Sequence, residues 1–308
     1  MESIWKRTCN REKRPALEGH IRADVAVIGG GMAGVLTAWH LEQAGVNAVI
    51  LEADQIGSGQ TGNTTAKITS QHGMFCHTFL EKKGEETAKK YVRANQDAVE
   101  EYKKIVQEEH IDCGLTESDA CVYSENEEKI RMETEAAQKL GIDASFRTQI
   151  EIPVPCAGAV CFPGQAQFHP LKFIGVLAER LTVYEGTPVT EVDGNLVKTT
   201  HGSVEADKIV FAVHFPFIDF PGMYFARMHQ ERSYVIALEN AGKIDNMYIG
   251  DGEDTLSFQQ YDKYILLGGQ AHRTGENHEG GCYENLRKTA ERLYPGSRGD
   301  VRRKGGGI

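Results

Sequence analysis

The chain has 308 residues and a formal net charge of −10, with 40% hydrophobic and 25% charged residues. This length can bury a large core as one big domain or two interleaved ones, and the acidic balance argues against a nucleic-acid or anionic-membrane partner. No run of about 18 apolar residues is present to span a bilayer, and the opening MESIWKRTCNREKRP lacks the apolar stretch of a secretory signal.

The first elements follow at once. Asp24 to Ile28 reads as a buried strand, the glycines after it as a turn, Met32 to Ala44 as a helix stopped by Gly45, and Asn47 to Leu51 as a second strand. That is the first β-α-β unit of a doubly wound parallel sheet. Between Leu80 and His110 apolar residues recur every seven positions, at Tyr91, Ala98 and Ile105 and at Val92, Val99 and Val106. This marks one face of an amphipathic helix packed on a sheet. Ser124 and Glu127 stand in capping-box spacing before KIRMETEAAQKL, which Gly141 ends. Pro170 to Leu181 reads as a further helix, followed by short strands with turns at Asp193-Gly194 and His201-Gly202, a small meander returning to a buried strand at Ile209 to Val213. From Arg227 onward RSYVIALE, LSFQQY and YILLGG suggest a second, mostly antiparallel sheet. The seven cysteines are scattered singly with no CxxC pair, which fits a reducing cytoplasm better than a disulfide framework or a zinc site.

Gly29, Gly31 and Gly34 form G-x-G-x-x-G between a strand and a helix. The first glycine allows the tight turn, the second lets backbone approach a pyrophosphate, and the third lets helix and strand pack closely. Met32 and Ala33 open the helix whose positive end faces the phosphates. Glu52 ends the second strand and can accept hydrogen bonds from an adenosine ribose, with Ala53 beside it. A carboxylate there disfavours a 2′-phosphate, which leaves NAD and FAD open. The next segment, QIGSGQTGNTTAKITSQHG from Gln55 to Gly73, separates them. A Rossmann domain for NAD turns into its next helix here, whereas a loop rich in hydroxyls and amides suits the pyrophosphate and isoalloxazine side of a flavin.

In these features the chain resembles the FAD-dependent oxidoreductases of the D-amino acid oxidase, glycine oxidase and sarcosine oxidase superfamily, over most of residues 20–296. It is most similar to a bacterial subgroup carrying TTAKITSQH, QAQFHPLKF and RMHQERSYV, present here at Thr64 to His72, Gln165 to Phe173 and Arg227 to Val235. The resemblance implies an α/β fold, in which a Rossmann-like FAD-binding domain with a small meander is interleaved with an α+β substrate domain built on a mostly antiparallel sheet. The flavin domain is expected at 20–78, 151–225 and 281–308, and the substrate domain at 79–150 and 226–280. FAD would be held by Gly29, Gly31, Met32, Ala33, Gly34, Glu52 and Ala53, by Gly59, Thr61, Thr64, Thr65 and Ala66 along the pyrophosphate and ribityl chain, and by Val189 and Ala212 near the adenine.

Members of the subgroup commonly continue into a Rieske iron-sulfur domain. No cysteine here has a histidine at C-x-H or C-x-x-H spacing, so no such centre is expected in this chain. After Tyr294-Pro295-Gly296 relatives continue into a strand and a glycine-rich segment that closes over the flavin. The tail SRGDVRRKGGGI departs from that pattern and reads as a frameshift or premature stop, so one wall of the flavin site is expected to be missing.

The superfamily reaction moves a hydride from an amine-bearing carbon to flavin, leaving an imine that water hydrolyses. A carboxylated amine calls for an arginine clamp, for which Arg232 and Arg273 are the candidates, each with a plain salt bridge as the competing reading. Tyr234 and Tyr248 are candidate pocket walls, against simple packing on the sheet. Candidates to tune the flavin or move a proton are His72, His229 and His272, and Lys67 is placed to bring positive charge near the ring. The expected partners are a small amine substrate and either oxygen or an electron-acceptor protein, in the cytoplasm. The alternative is a truncated fragment that binds nucleotide weakly or not at all.

Overall fold

The structure is a computed structural model and describes residues 3–218, 222–252, 255–276 and 280–307, the last eight of these by their backbone. In chain order the elements are α1 (Ile4–Arg7), β1 (Gly19–Ile28), α2 (Met32–Gln43), β2 (Ala48–Leu51), β3 (Lys67–Ile68), α3 (Cys76–Lys83), α4 (Glu85–Glu108) and β4 (Thr116–Ser124). Then follow α5 (Glu127–Lys139), β5 (Ser145–Arg147), β6 (Gly158–Gln167), α6 (Pro170–Ala178), β7 (Thr182–Tyr184), β8 (Val189–Asp193), β9 (Leu196–Thr199) and β10 (Gly202–Phe211). The chain ends with β11 (Glu231–Glu239), β12 (Met247–Gly250), β13 (Ser257–Tyr261), β14 (Tyr264–Arg273), α7 (Cys282–Leu293) and β15 (Arg298–Gly307).

Two sheets organise these elements among the described residues. The first has the order β7-β2-β1-β10-β9-β8, parallel from β7 to β10 and antiparallel in the β10-β9-β8 meander. The chain leaves β1 toward β2 on one side and reaches β10 on the other, so the crevice beyond the ends of β1 and β10 is a topological switch point. β1 is longer than the sequence suggests, because nine of its residues pair in register with β10, from Gly19 opposite Gly202 to Ile28 opposite Phe211. The end of β10 is more open than expected, with Phe211 43% exposed.

The second sheet has nine strands, in the order β15-β11-β14-β13-β12-β4-β6-β3 with β5 beside β6. Its strands come from both sides of the expected domain boundaries. β3, β6 and β15 fall in segments assigned to the flavin domain from sequence, yet β3 and β6 pair beside β4, and β15 pairs with β11. α7 likewise packs under β11 and β14 through Leu286 and Ala290. The reason is that hydrogen-bonded ladders join residues far apart in the chain, which composition along a segment does not reveal. Ile308, the last residue of the expected third segment, lies outside the described residues. The tail also departs from expectation: 298–307 forms an edge strand along β11, because edge pairing needs backbone groups and no apolar periodicity.

Three local expectations shift as well. The long helix is broken at Gly84, whose φ of 76° ends α3 and starts α4, and Tyr91 on the expected apolar face is 39% exposed while Ala88, Val92, Val99 and Ile105 are buried. α5 is capped by Asn126, whose side chain accepts from the Lys129 amide at 3.0 Å; Ser124 Oγ accepts instead from the Asn126 amide at 3.2 Å. The reading of all cysteines as single thiols is corrected at one pair, since the β4–β6 register sets Cys121 opposite Cys161 and a disulfide joins them. A separation of 40 residues hides that partnership from the sequence. Among the described residues no helix is long and apolar enough to cross a membrane.

The largest core cluster joins the two sheets. Val25, Val27 and Ile50 of the parallel sheet pack with Val235, Ala237 and Leu266 of the larger one, and with Val99 and Ile105 of α4 and Trp5 of α1.

Candidate functional site

Gly29 bends the chain out of β1 with φ 106°, and a Cβ there would stand 2.6 Å from the Ala212 carbonyl oxygen. At Gly34 a Cβ would stand 1.9 Å from the Gly29 carbonyl oxygen, so helix and strand approach only because both positions are glycine. Gly31 caps α2 without a side chain, and the first turn of the helix carries no acid. The positive end of the helix dipole is thus left for an anion, with the Met32 amide steadied by Thr61 Oγ1 at 2.9 Å. Glu52 Oε2 accepts from the Gly30 amide at 2.6 Å and Oε1 from the Asp54 amide at 2.9 Å. Each oxygen retains a second lone pair, and the side chain lines the groove, which suits it to ribose hydroxyls.

The groove holds about 640 Å³ and is lined by Gly29, Gly31, Met32, Ala33, Glu52, Ala53, Gly59, Thr61, Val189 and Ala212. All were expected from sequence. Pro188, Phe211, His214 and Phe217, which were not, line it as well. Their signal was positional, since they directly precede β8 or end and follow β10 beside the switch point.

From this groove the loop leads to two further cavities. Thr61, Thr64, Ala66 and Lys67 border one of about 360 Å³, closed by Val99, Tyr102 and Phe168. Ala66 is buried in the left-handed region with φ 60°, held by its amide to Thr64 Oγ1 at 3.1 Å. A non-glycine residue there stores strain that the surrounding packing must hold in place. Thr65 and Lys67 also border a cavity of about 770 Å³ on the face of the nine-stranded sheet, with His229, Glu231, Ser233, Val235, His272 and Arg273. Lys67 therefore sits where the two cavities adjoin. Its Nζ donates to the Tyr248 carbonyl at 2.9 Å, and burial pushes its ammonium down to about 7.

The other candidates separate by face. Residues 231, 233 and 235 border the sheet-face cavity, and the register shifts between Arg232 and Tyr234 opposite Gln270, whose φ is 58°. Tyr234 stacks on His272 at 5.7 Å and meets Tyr283 edge-on at 4.9 Å. Arg232 falls in the alternation with Tyr234 and is absent from the cavity lining, as is Tyr234 itself. Tyr248 is 2% exposed and donates to Glu151 Oε2 at 2.9 Å, so its ring is core and its main-chain carbonyl serves Lys67. His72 bonds Asn95 Oδ1 at 3.1 Å, away from the sheet-face cavity. His229 lies 3.6 Å from Glu231, and Arg273 lies 4.0 Å from Glu276.

A glycine turn at a switch point, an acid at the end of β2 and a loop running into a second sheet define a two-sheet dinucleotide-binding oxidoreductase. A model of the FAD dependent oxidoreductase family, DAO, matches residues 24–308, and the chain belongs to that family. Its cofactor is FAD, and the uncapped α2 end, the glycines and Glu52 fit the ADP half of that molecule. YhfW of Bacillus subtilis, named for a Rieske 2Fe-2S iron-sulfur protein, is 35% identical over 94% of this chain and 60% of its own length. The gamma-glutamylputrescine oxidoreductase of Escherichia coli is 27% identical over 64% of this chain and 50% of its own. The chain thus spans about half to three-fifths of these curated relatives. Among solved structures, L-proline dehydrogenase from P. horikoshii superposes with a TM-score of 0.73 at 17% identity, covering 94% of this chain and 82% of that one. Glycine oxidase from Geobacillus kaustophilus gives 0.70 at 16%, covering 92% and 82%.

Proposed function

We propose that the protein oxidises a small amine or amino acid by hydride transfer, releasing an imine that water hydrolyses. The observation that carries this reading is the cavity in which the flavin-side residues Thr65 and Lys67 meet the polar face of the second sheet. Bound FAD supplies the hydride acceptor there. The rest falls to the chain. Arg273 at the cavity edge offers a guanidinium to a substrate carboxylate, and Glu231 a carboxylate to its ammonium. Lys67 Nζ, neutral above about pH 7, takes the ammonium proton so that the nitrogen lone pair can drive hydride loss. Val235 and Ile249 give the cavity its apolar wall.

The name of the gamma-glutamylputrescine relative supports an amine substrate. The electron acceptor is oxygen or an electron-transfer protein, and the similarity to a protein named for a Rieske cluster supports the second. The test is anaerobic mixing of the FAD-loaded chain with a panel of amines and amino acids. Bleaching of the flavin absorbance by one class is the expected outcome. A flavin that dithionite reduces but no amine bleaches overturns the proposal.

A further inference from the structure

The residues ahead of β1 join neither sheet, yet they contain a tryptophan with 0% exposure. Trp5 Nε1 donates to the Thr64 carbonyl at 2.9 Å, Lys6 Nζ donates to the Ser58 carbonyl at 2.6 Å, and Ser3 Oγ donates to the Gly62 carbonyl. One short segment thus holds three carbonyls of the cofactor loop from one side. In a trans peptide the carbonyl of one residue and the amide of the next point in opposite directions. Fixing carbonyls 58, 62 and 64 toward α1 turns the amides of Gly59, Asn63 and Thr65 away from it. The Asn63 amide closes a turn onto the Gln60 carbonyl at 2.9 Å. The other two residues border the cofactor path at its two ends, Gly59 in the dinucleotide groove and Thr65 in the sheet-face cavity.

α1 is itself anchored to both halves of the molecule. Thr8 Oγ1 donates to the Ile4 carbonyl at 2.6 Å and accepts from His169 Nε2 at 2.9 Å, while His169 Nδ1 caps α6 by accepting from the Lys172 amide. The Trp5 ring meets His169 at 5.0 Å and Tyr261 of β13 at 4.5 Å, both edge-on. The segment is therefore a fixed brace.

We propose that Trp5 and Lys6 are positioning residues for FAD, setting the peptide planes through which the amides of Thr65 and Gly59 meet the cofactor. This rests on FAD as the cofactor and is independent of the amine reading. The test titrates the 308-residue apoprotein with FAD and, separately, with ADP, alongside the thermal midpoint of each apoprotein. Trp5→Phe keeps a six-membered aromatic ring and loses the donor to Thr64, so FAD binding weakens by about tenfold while ADP binding changes less than about twofold. Lys6→Met acts at the Gly59 end, and both ligands weaken by about fivefold. The Lys6→Met midpoint stays within about 2 °C of the parent, while Trp5→Phe falls by up to about 5 °C for the lost ring volume and the unpaired Thr64 carbonyl. Unchanged affinities overturn the proposal. So do equal losses of FAD and ADP affinity in Trp5→Phe, a Lys6→Met loss that tracks a falling apoprotein midpoint, or failure of both variants to fold, since each makes α1 ordinary core. A parent chain that binds neither ligand would instead remove the cofactor assignment.

Discussion

Burial penalises the charged form of Lys67, and no carboxylate offsets that penalty among the described residues. Its folded pKa near 7 lies below the ordinary 10.5, so the ammonium gives up its proton within the neutral range and the amine is available above it. Flavin reduction by an amine substrate is therefore expected to rise with pH through about 7. Lys67→Met should lower the anaerobic reduction rate by about 100-fold and remove that rise, with FAD still bound. A mutant rate that keeps the inflection would assign it to another group. The glycines and Glu52 were legible in the sequence because one local strand-turn-helix unit fixes their geometry. The sheet-domain candidates were not, because a bulge at 232–234 decides which side chains face the cavity. Arg232 and Tyr234 look equivalent to Ser233 until that register is seen.

At the scale of elements, α6 and α1 meet through His169, which is 1% exposed. Burial, with Lys172 and Arg11 nearby, pushes its pKa down from 6.5 to about 4. The neutral ring is what the packing requires, since Nδ1 accepts from the Lys172 amide and Nε2 donates to Thr8. A depressed folded pKa means the unfolded chain binds the proton first, so this stabilisation is complete above about 6.5 and is lost as pH falls through about 4. The amount at stake is about 3 kcal/mol by linkage, as an upper order of magnitude. His169→Asn can keep the helix cap but cannot titrate, so its thermal midpoint should fall less steeply than the parent's across that window. Equal slopes would place the acid sensitivity elsewhere. QFHPLKF stood out in the sequence as part of a resemblance, whereas α1 was silent, because four residues carry no periodicity. β3, β6 and β12 were equally hidden, since their partners lie far away in the chain.

The whole molecule turns on how far the two sheets are separate. Sequence boundaries imply two domains that fold around different cores, but the largest cluster takes side chains from both sheets, from α4 and from α1. Trp5 and Trp39 both belong to it, so tryptophan emission reports that shared core while far-ultraviolet dichroism reports the strands and helices on either side. One cooperative transition is expected in urea, with the two signals coincident. With FAD bound along the loop between the sheets, as proposed, saturating it at about 100 times its dissociation constant should add about 2.7 kcal/mol to the whole transition. For a chain of this size that is a rise of roughly 5 °C in the thermal midpoint, seen equally by both signals. Two separable transitions, with only one moved by FAD, would show that the parallel sheet folds as an independent nucleotide-binding unit and that the shared cluster is an interface between domains.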